Sequence, residues 1–310
     1  MSQVSNQVPT QAPVQAKVAV APVASAPSTS RLRAALRVVV SDRIMLFSFL
    51  LLALLVAVSV FAPLIAVHDP LQLAPRVRLQ SSSSIYWFGT DSLGRDLFSR
   101  VLYGGRLSIS LALLVCVSSV IGGLIVGILA GYFRKLDSII MRVMDGIMAI
   151  PGLLLAIAMV ALGGAQISTM VFAIAVPEIP RIARLVRSVV LSVREEPFVE
   201  ASFGMGSSTI RVLGWHILPS TINPLVIQAA YVCAAAILTE AVLGFLGAGF
   251  PPEVPSLGSI IAEGRPFFQR APWIILFPGA FLALLILAIN LFGDALRDRL
   301  DPRLARKTKG

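Results

Sequence analysis

The chain has 310 residues, of which 56% are hydrophobic and 14% charged, and a formal net charge of +10. A soluble domain carries about 25% charged and roughly 45–50% apolar residues, so a water-exposed globule is excluded. Bulk disorder needs low hydrophobicity, and two cysteines exclude a disulfide scaffold. What remains is a polytopic membrane protein. The basic excess fits nucleic-acid binding or the basic ends of a membrane protein, and its distribution decides between them.

Residues 1–30 are rich in Gln, Ala, Val, Ser and Pro, carry Lys17 as their one charge and show no apolar period. They predict a disordered tail, without the basic start and apolar block of a secretory signal. Arg31, Arg33, Arg37 and Arg43 follow on a short amphipathic helix that leads into the first span.

Ile44 to Ala66 is uncharged for 23 residues, about 35 Å of helix against a hydrocarbon core of roughly 30 Å. Residues 67–106 are polar, with Pro70, Pro75 and the Ser81–Ser84 run, and end in an amphipathic segment. Leu107–Phe133 spans again, closed by Arg134 and Lys135. Gly146–Pro177 holds 32 uncharged residues, too many for one span, and the turn signal Leu162–Gln166 divides it in two. The fourth span is expected to continue as a helix past Pro177 and Pro180 toward Leu191. A fifth runs from Ile222 to Leu246, a Pro/Gly-rich loop covers 247–270, and Ala271–Gly293 is the sixth.

Six spans put both termini on one side. With that side cytoplasmic, 19 of the Lys and Arg residues lie inside and 7 outside, as basic loops require. The charge is topological, and nucleic acid is dropped as a partner. The domain reading is a tail (1–30), a helix, span and outer loop (31–106), a five-span core (107–295) with a polar loop at 192–220, and a basic tail (296–310).

No Gly-rich loop with Lys-Ser/Thr is present, so the chain has no phosphate cradle. His68 and His216 fall on opposite sides of the membrane, and no spacing fits a metal site. Cys116 and Cys233 read as small buried groups inside spans. Gly123, Gly127 and Gly131 share one face of the second span, for close packing within the subunit or against a partner. Pro151, Pro177, Pro180 and Pro278 kink or bound spans. Acids in or near the bilayer are functional candidates by default. Asp145 with Arg142, and Glu178 with Arg181, read as local pairs. Asp294 reads as a helix end beside Arg297. Glu240, in the outer half of the fifth span, has no local partner and is a candidate for lining a translocation path, with an inter-helix hydrogen bond as the alternative. In Gly89–Arg106, Asp91/Arg95 and Asp96/Arg100 stand four apart, as in an amphipathic helix on the outer surface or a contact with a partner.

The most specific signal is Glu200-Ala201-Ser202, three residues, Gly206, eleven residues, then Leu218-Pro219. A Glu opens a short helix, a Gly permits a sharp turn, and Leu-Pro starts the next span. Physically it is a docking element between two spans. It resembles the EAA loop of ABC-importer permeases: Glu-Ala-Ala, three residues, Gly, nine residues, Ile, one residue, Leu-Pro. Ser202 replaces the second Ala, and His216 holds the Ile position, as in the peptide-importer branch. Phe88–Asp96 with Gly104–Ser108, Leu243–Gly247 with Pro251-Pro252, and Asn290–Asp298 with Asp301-Pro302 resemble the same dipeptide/oligopeptide permease family, over about residues 31–305.

The resemblance implies an all-α, six-span, type I ABC importer permease fold with a cytoplasmic coupling helix at 199–211. Glu200 would face an ATPase groove and Gly206 would set the turn. It implies a heterodimer with a second six-span permease, two ATP-binding subunits that hold ATP and Mg, a periplasmic or lipid-anchored substrate-binding protein, an inner-membrane location, and no cofactor or catalysis in this chain. A secondary transporter needs an inverted repeat and a midplane ion site; an intramembrane enzyme needs a nucleophile and base. Neither is evident.

Overall fold

The computed structural model describes residues 43–300. The expected tail at 1–30, the Arg31–Arg37 helix and the basic residues after 300 lie outside them. Among the described residues the structure is helical, with one isolated bridge between Thr90 and Asp96. The helices are α1 (Arg43–Val60), α2 (Ala62–Ile65), α3 (Leu97–Tyr132), α4 (Arg134–Ala149), α5 (Gly152–Gly163), α6 (Ile167–Arg194), α7 (Pro197–Gly204), α8 (Thr209–Val212), α9 (Leu218–Phe245), α10 (Leu257–Gly264) and α11 (Trp273–Leu300).

All six expected spans appear as helices, but not all as expected. Arg43–Val60, Leu97–Tyr132, Thr209–Phe245 and Trp273–Arg299 are each long and apolar enough to cross a membrane. The third expected span is not one rod. α4 and α5 meet at an 86° bend at Ile150-Pro151, where proline denies the preceding residue the helical conformation. With 12 residues, α5 is about 18 Å long and too short to cross by itself. The fourth continues through Pro177 and Pro180 to Arg194, as expected, but carries Glu178, Arg181, Arg184 and Arg187 in its second half. The first breaks at Phe61, before Pro63. The sixth runs on to Leu300, so Asp294 lies inside a helix rather than at its end; its carboxylate accepts a 2.5 Å hydrogen bond from Tyr231 Oη.

α3 is the axis of the fold. Its 36 residues give about 54 Å, well beyond the hydrocarbon thickness. Gly123, Gly127 and Gly131 face Ile182, Val186 and Val190 of α6, so the small stripe seats α6 rather than a second subunit. A Cβ at Gly127 would lie 2.6 Å from Val186 Cβ and 2.7 Å from the Ala183 carbonyl oxygen. A carbonyl in a helix cannot swing away, so we expect Gly127→Leu to destabilise the chain by about 1–3 kcal/mol or more through overpacking. Gly122→Ala, which meets only the end of the Ile179 side chain, should be tolerated. Thermal unfolding in detergent compares the two.

α9 packs on α3, α6 and α11 around a core that includes Val115, Ile174, Ile182, Ile237 and Leu285. A second, smaller core joins α10 to the starts of α3 and α11 through Leu97, Val101, Leu257, Ile260 and Ile274.

Candidate functional site

The segment around Glu200 forms at the C-terminal end of α3. Pro197 stands at the start of α7, where its missing N–H costs nothing. The helix ends at Gly204, and Gly206 takes φ +82°. Its N–H donates to Phe203 O at 2.9 Å and the Ser207 N–H to Ser202 O at 3.1 Å. A residue with a Cβ resists that left-handed angle, which is why the turn falls at the glycine, as the sequence implied.

Two faces result. Val199, Ser202, Val212 and Ile217 are buried and hold the segment to the spans. On the other side Glu200 and Ala201 are exposed, and so are Phe203, Met205, Ile210 and Trp215, the last three by 81%, 83% and 78%. No basic side chain among the described residues pairs with Glu200, which sits in the first turn of α7, where a helix N-terminus favours an anion. Ser202 thus belongs to the anchored side. Exposed apolar side chains and the unpaired Glu200 thus share one face of the segment.

The segment is rigidly mounted. Arg194 donates to the Gly131 and Tyr132 carbonyls at 3.4 and 3.3 Å, a cation on the last turn of α3. Tyr132 Oη is 3.4 Å from Thr209 Oγ1, and the Phe198 ring meets His216 edge-on at 5.7 Å. Arg187 grips Asp137 of α4 with two bonds of 2.5 and 2.6 Å. That hydrogen bonding holds the Asp137 carboxyl below its ordinary value. Asp145 pairs with Arg184 at 2.5 Å, not with Arg142 as the spacing suggested, because α4 lies against α6. Glu178 and Arg181 do pair locally, at 3.2 Å.

Leu218-Pro219 does not begin a separate helix. Thr209–Phe245 is continuous through a wide π-turn at Leu213–Ile217. Pro219 has no N–H for the preceding turn, and the widened turn accommodates this. The exposed Ile210 and Trp215 therefore stand on the same rod as the fifth span.

The other end of α3 holds a second cluster that spacing misread. Gly89–Asp96 is a loop, not part of a surface helix. Asp96 caps α3, accepting from Ser99 N at 3.0 Å. Asp91 accepts from Arg95 Nε at 2.6 Å and from Arg100 at 2.5 Å. Glu263 of α10 accepts from Arg95 at 2.5 Å and from Arg100 at 2.7 and 3.1 Å. Arg100 is 0% exposed. The charges that looked solvated form a network in which Asp91, Arg95 and Arg100 are buried and Glu263 is partly exposed, tying the loop before α3 to α10. Beside it, Glu263, Gln166, Gly244 at the end of α9 and the loop after it as far as Pro252 line a cavity of 590 Å³.

Glu240 is also 0% exposed. Its carboxylate accepts from Ser108 Oγ of α3 at 2.7 Å, so in this conformation it makes an inter-helix bond rather than facing an open path.

Residues 123–306 match the family described as binding-protein-dependent transport system inner membrane component. The chain belongs to this family. It is 53% identical over 239 residues to a probable peptide ABC transporter permease of Sinorhizobium fredii, covering 77% of this chain and 82% of that protein. It is 38% identical over 273 residues to the dipeptide transport system permease protein DppC of Alkalihalophilus pseudofirmus, covering 88% and 90%. Inward-facing MetNI methionine ABC transporter structures share the fold at a TM-score of 0.52 and 21% identity, over 66% of this chain and 96% of that one. The chain is therefore an inner-membrane permease with the type I ABC importer fold. The exposed face of α7 and α8 lies on the segment that resembles the EAA loop of such permeases.

Proposed function

We propose that this permease is one half of a heterodimer that imports di- or oligopeptides. A second six-span permease completes the path. Two ATP-binding subunits hold ATP and Mg, one of them docked on the surface from Phe198 to Trp215, and a substrate-binding protein delivers peptide at the Asp91–Glu263 end. The chain itself needs no cofactor. Both termini are cytoplasmic in this reading, as the basic bias favours. The observation that carries it is the anchored, exposed face around Glu200, continuous with α9. The relatives' names support the peptide class.

The experiment is uptake of a radiolabelled dipeptide into proteoliposomes holding the assembled transporter with its binding protein. Uptake should require ATP and be lost when the binding protein is omitted. Uptake that proceeds without either would contradict the reading. Orientation is tested separately. A cysteine at Ser207 should react with a membrane-impermeant maleimide only in inverted vesicles, and one at Ser82 only in spheroplasts.

A further inference from the structure

The chain's two cysteines stand on different helices and meet. Cys116 is on α3 and Cys233 on α9. Cys116 Sγ lies 3.5 Å from the Ala229 carbonyl oxygen, and Cys233 Sγ 4.0 Å from that of Ala112. Each acceptor is four residues before the other cysteine, one helical turn away, so the contact is reciprocal and sets the two cysteines side by side across the seam between α3 and α9. Alanines at 112 and 229 let the backbones approach.

Cys233 also lines a groove of 380 Å³ between α1, α3, α9 and α11. Its other walls, among them Leu52, Val56, Leu113, Leu285 and Phe292, are apolar. An uncharged molecule dissolved in the membrane can enter such a groove; an ion would have to leave its hydration shell behind.

We propose that Cys116 and Cys233 form an oxidisable dithiol, closed to a disulfide between α3 and α9 by an uncharged, membrane-permeant two-electron acceptor. Two S–H bonds break and one S–S bond forms. Two electrons and two protons pass to the acceptor; with an azodicarboxamide the N=N bond becomes a hydrazine carrying two N–H bonds. The product staples α3 to the rod that carries Ile210 and Trp215. The chemistry does not depend on what the permease transports.

The test uses membranes containing the whole chain with its partner subunits. They are treated with diamide, an uncharged azodicarboxamide, or with a dianionic aromatic disulfide, then alkylated with N-ethylmaleimide under denaturing conditions. After diamide, both thiols should escape alkylation together, and a non-reducing digest should yield one peptide pair joining residues 116 and 233. Reduction should restore two alkylatable thiols. The dianionic reagent should leave both thiols free. In Cys116→Ala and in Cys233→Ala, diamide should leave the remaining thiol alkylatable. Full alkylation of both thiols after diamide would overturn the proposal. So would protection of the lone thiol in either variant, and equally fast oxidation by the dianion would overturn the groove route. If a variant fails to accumulate, the linked peptide from the unaltered chain still decides.

Discussion

Arg100→Leu is expected to lower the stability of the solubilised protein by about 3–5 kcal/mol, the usual cost of leaving buried charges without their partner. Asp91 and Glu263 both depend on this guanidinium, which donates to each of them, and Arg100 is wholly buried. Without it the network holds Arg95 against two carboxylates. Arg100→Leu combined with Glu263→Gln restores neutrality, leaving the Arg95–Asp91 pair at 2.6 Å, and should recover part of the loss. Thermal unfolding followed by size-exclusion chromatography reads both. If Arg100→Leu stays within about 0.5 kcal/mol of the unaltered chain, as an ordinary surface substitution would, the network is not what fixes α10 to the start of α3.

Gly206→Val is expected to abolish most ATP-driven uptake while leaving the spans inserted. The position has φ +82°, and nothing lies within 4 Å of a Cβ built there. The penalty is therefore backbone strain alone, about 1–3 kcal/mol. It falls on the turn that sets α7 against α8. Asparagine tolerates the left-handed region, so Gly206→Asn should keep most of the uptake. A clash would penalise both side chains; strain separates them. The readout is uptake together with binding-protein-stimulated ATPase activity in the reconstituted transporter. Equal activity of the valine and asparagine variants would show that the turn does not constrain the docking face.

Much of this was legible in the sequence because the relevant physics is local. Apolar runs located the four helices long and apolar enough to cross a membrane, since a hydrocarbon core disfavours charge whatever the tertiary fold. Gly206 announced a turn because a left-handed angle favours glycine. That Glu200 faces outward was implied by the resemblance to the EAA loop rather than by local physics. What spacing could not reveal is long-range pairing. Asp91, Arg95 and Arg100 gave an amphipathic pattern that real surface helices share; only Glu263, 163 residues after Arg100, turns them into a buried cluster. Asp145 had a plausible local partner in Arg142, and the choice of Arg184 needed the packing of α4 on α6. The bend at Pro151 was signalled, but its size depends on what the two arms rest against. The π-turn before Pro219 was readable in principle, from a proline placed nearly three turns inside a continuous helix.

In the proposed assembly an ATP-binding subunit docks on the exposed face of α7 and α8. The most direct measurement places a photo-crosslinking amino acid at Met205 and Ile210, with Leu162 as control. Leu162 is 91% exposed and sits next to the turn that lines the Glu263 cavity. Irradiation of the assembled transporter should join positions 205 and 210 to an ATP-binding subunit, with yields that change on adding ATP, and should give no such adduct from position 162. An intact complex in which neither 205 nor 210 forms that adduct, or in which 162 does, would contradict the assignment.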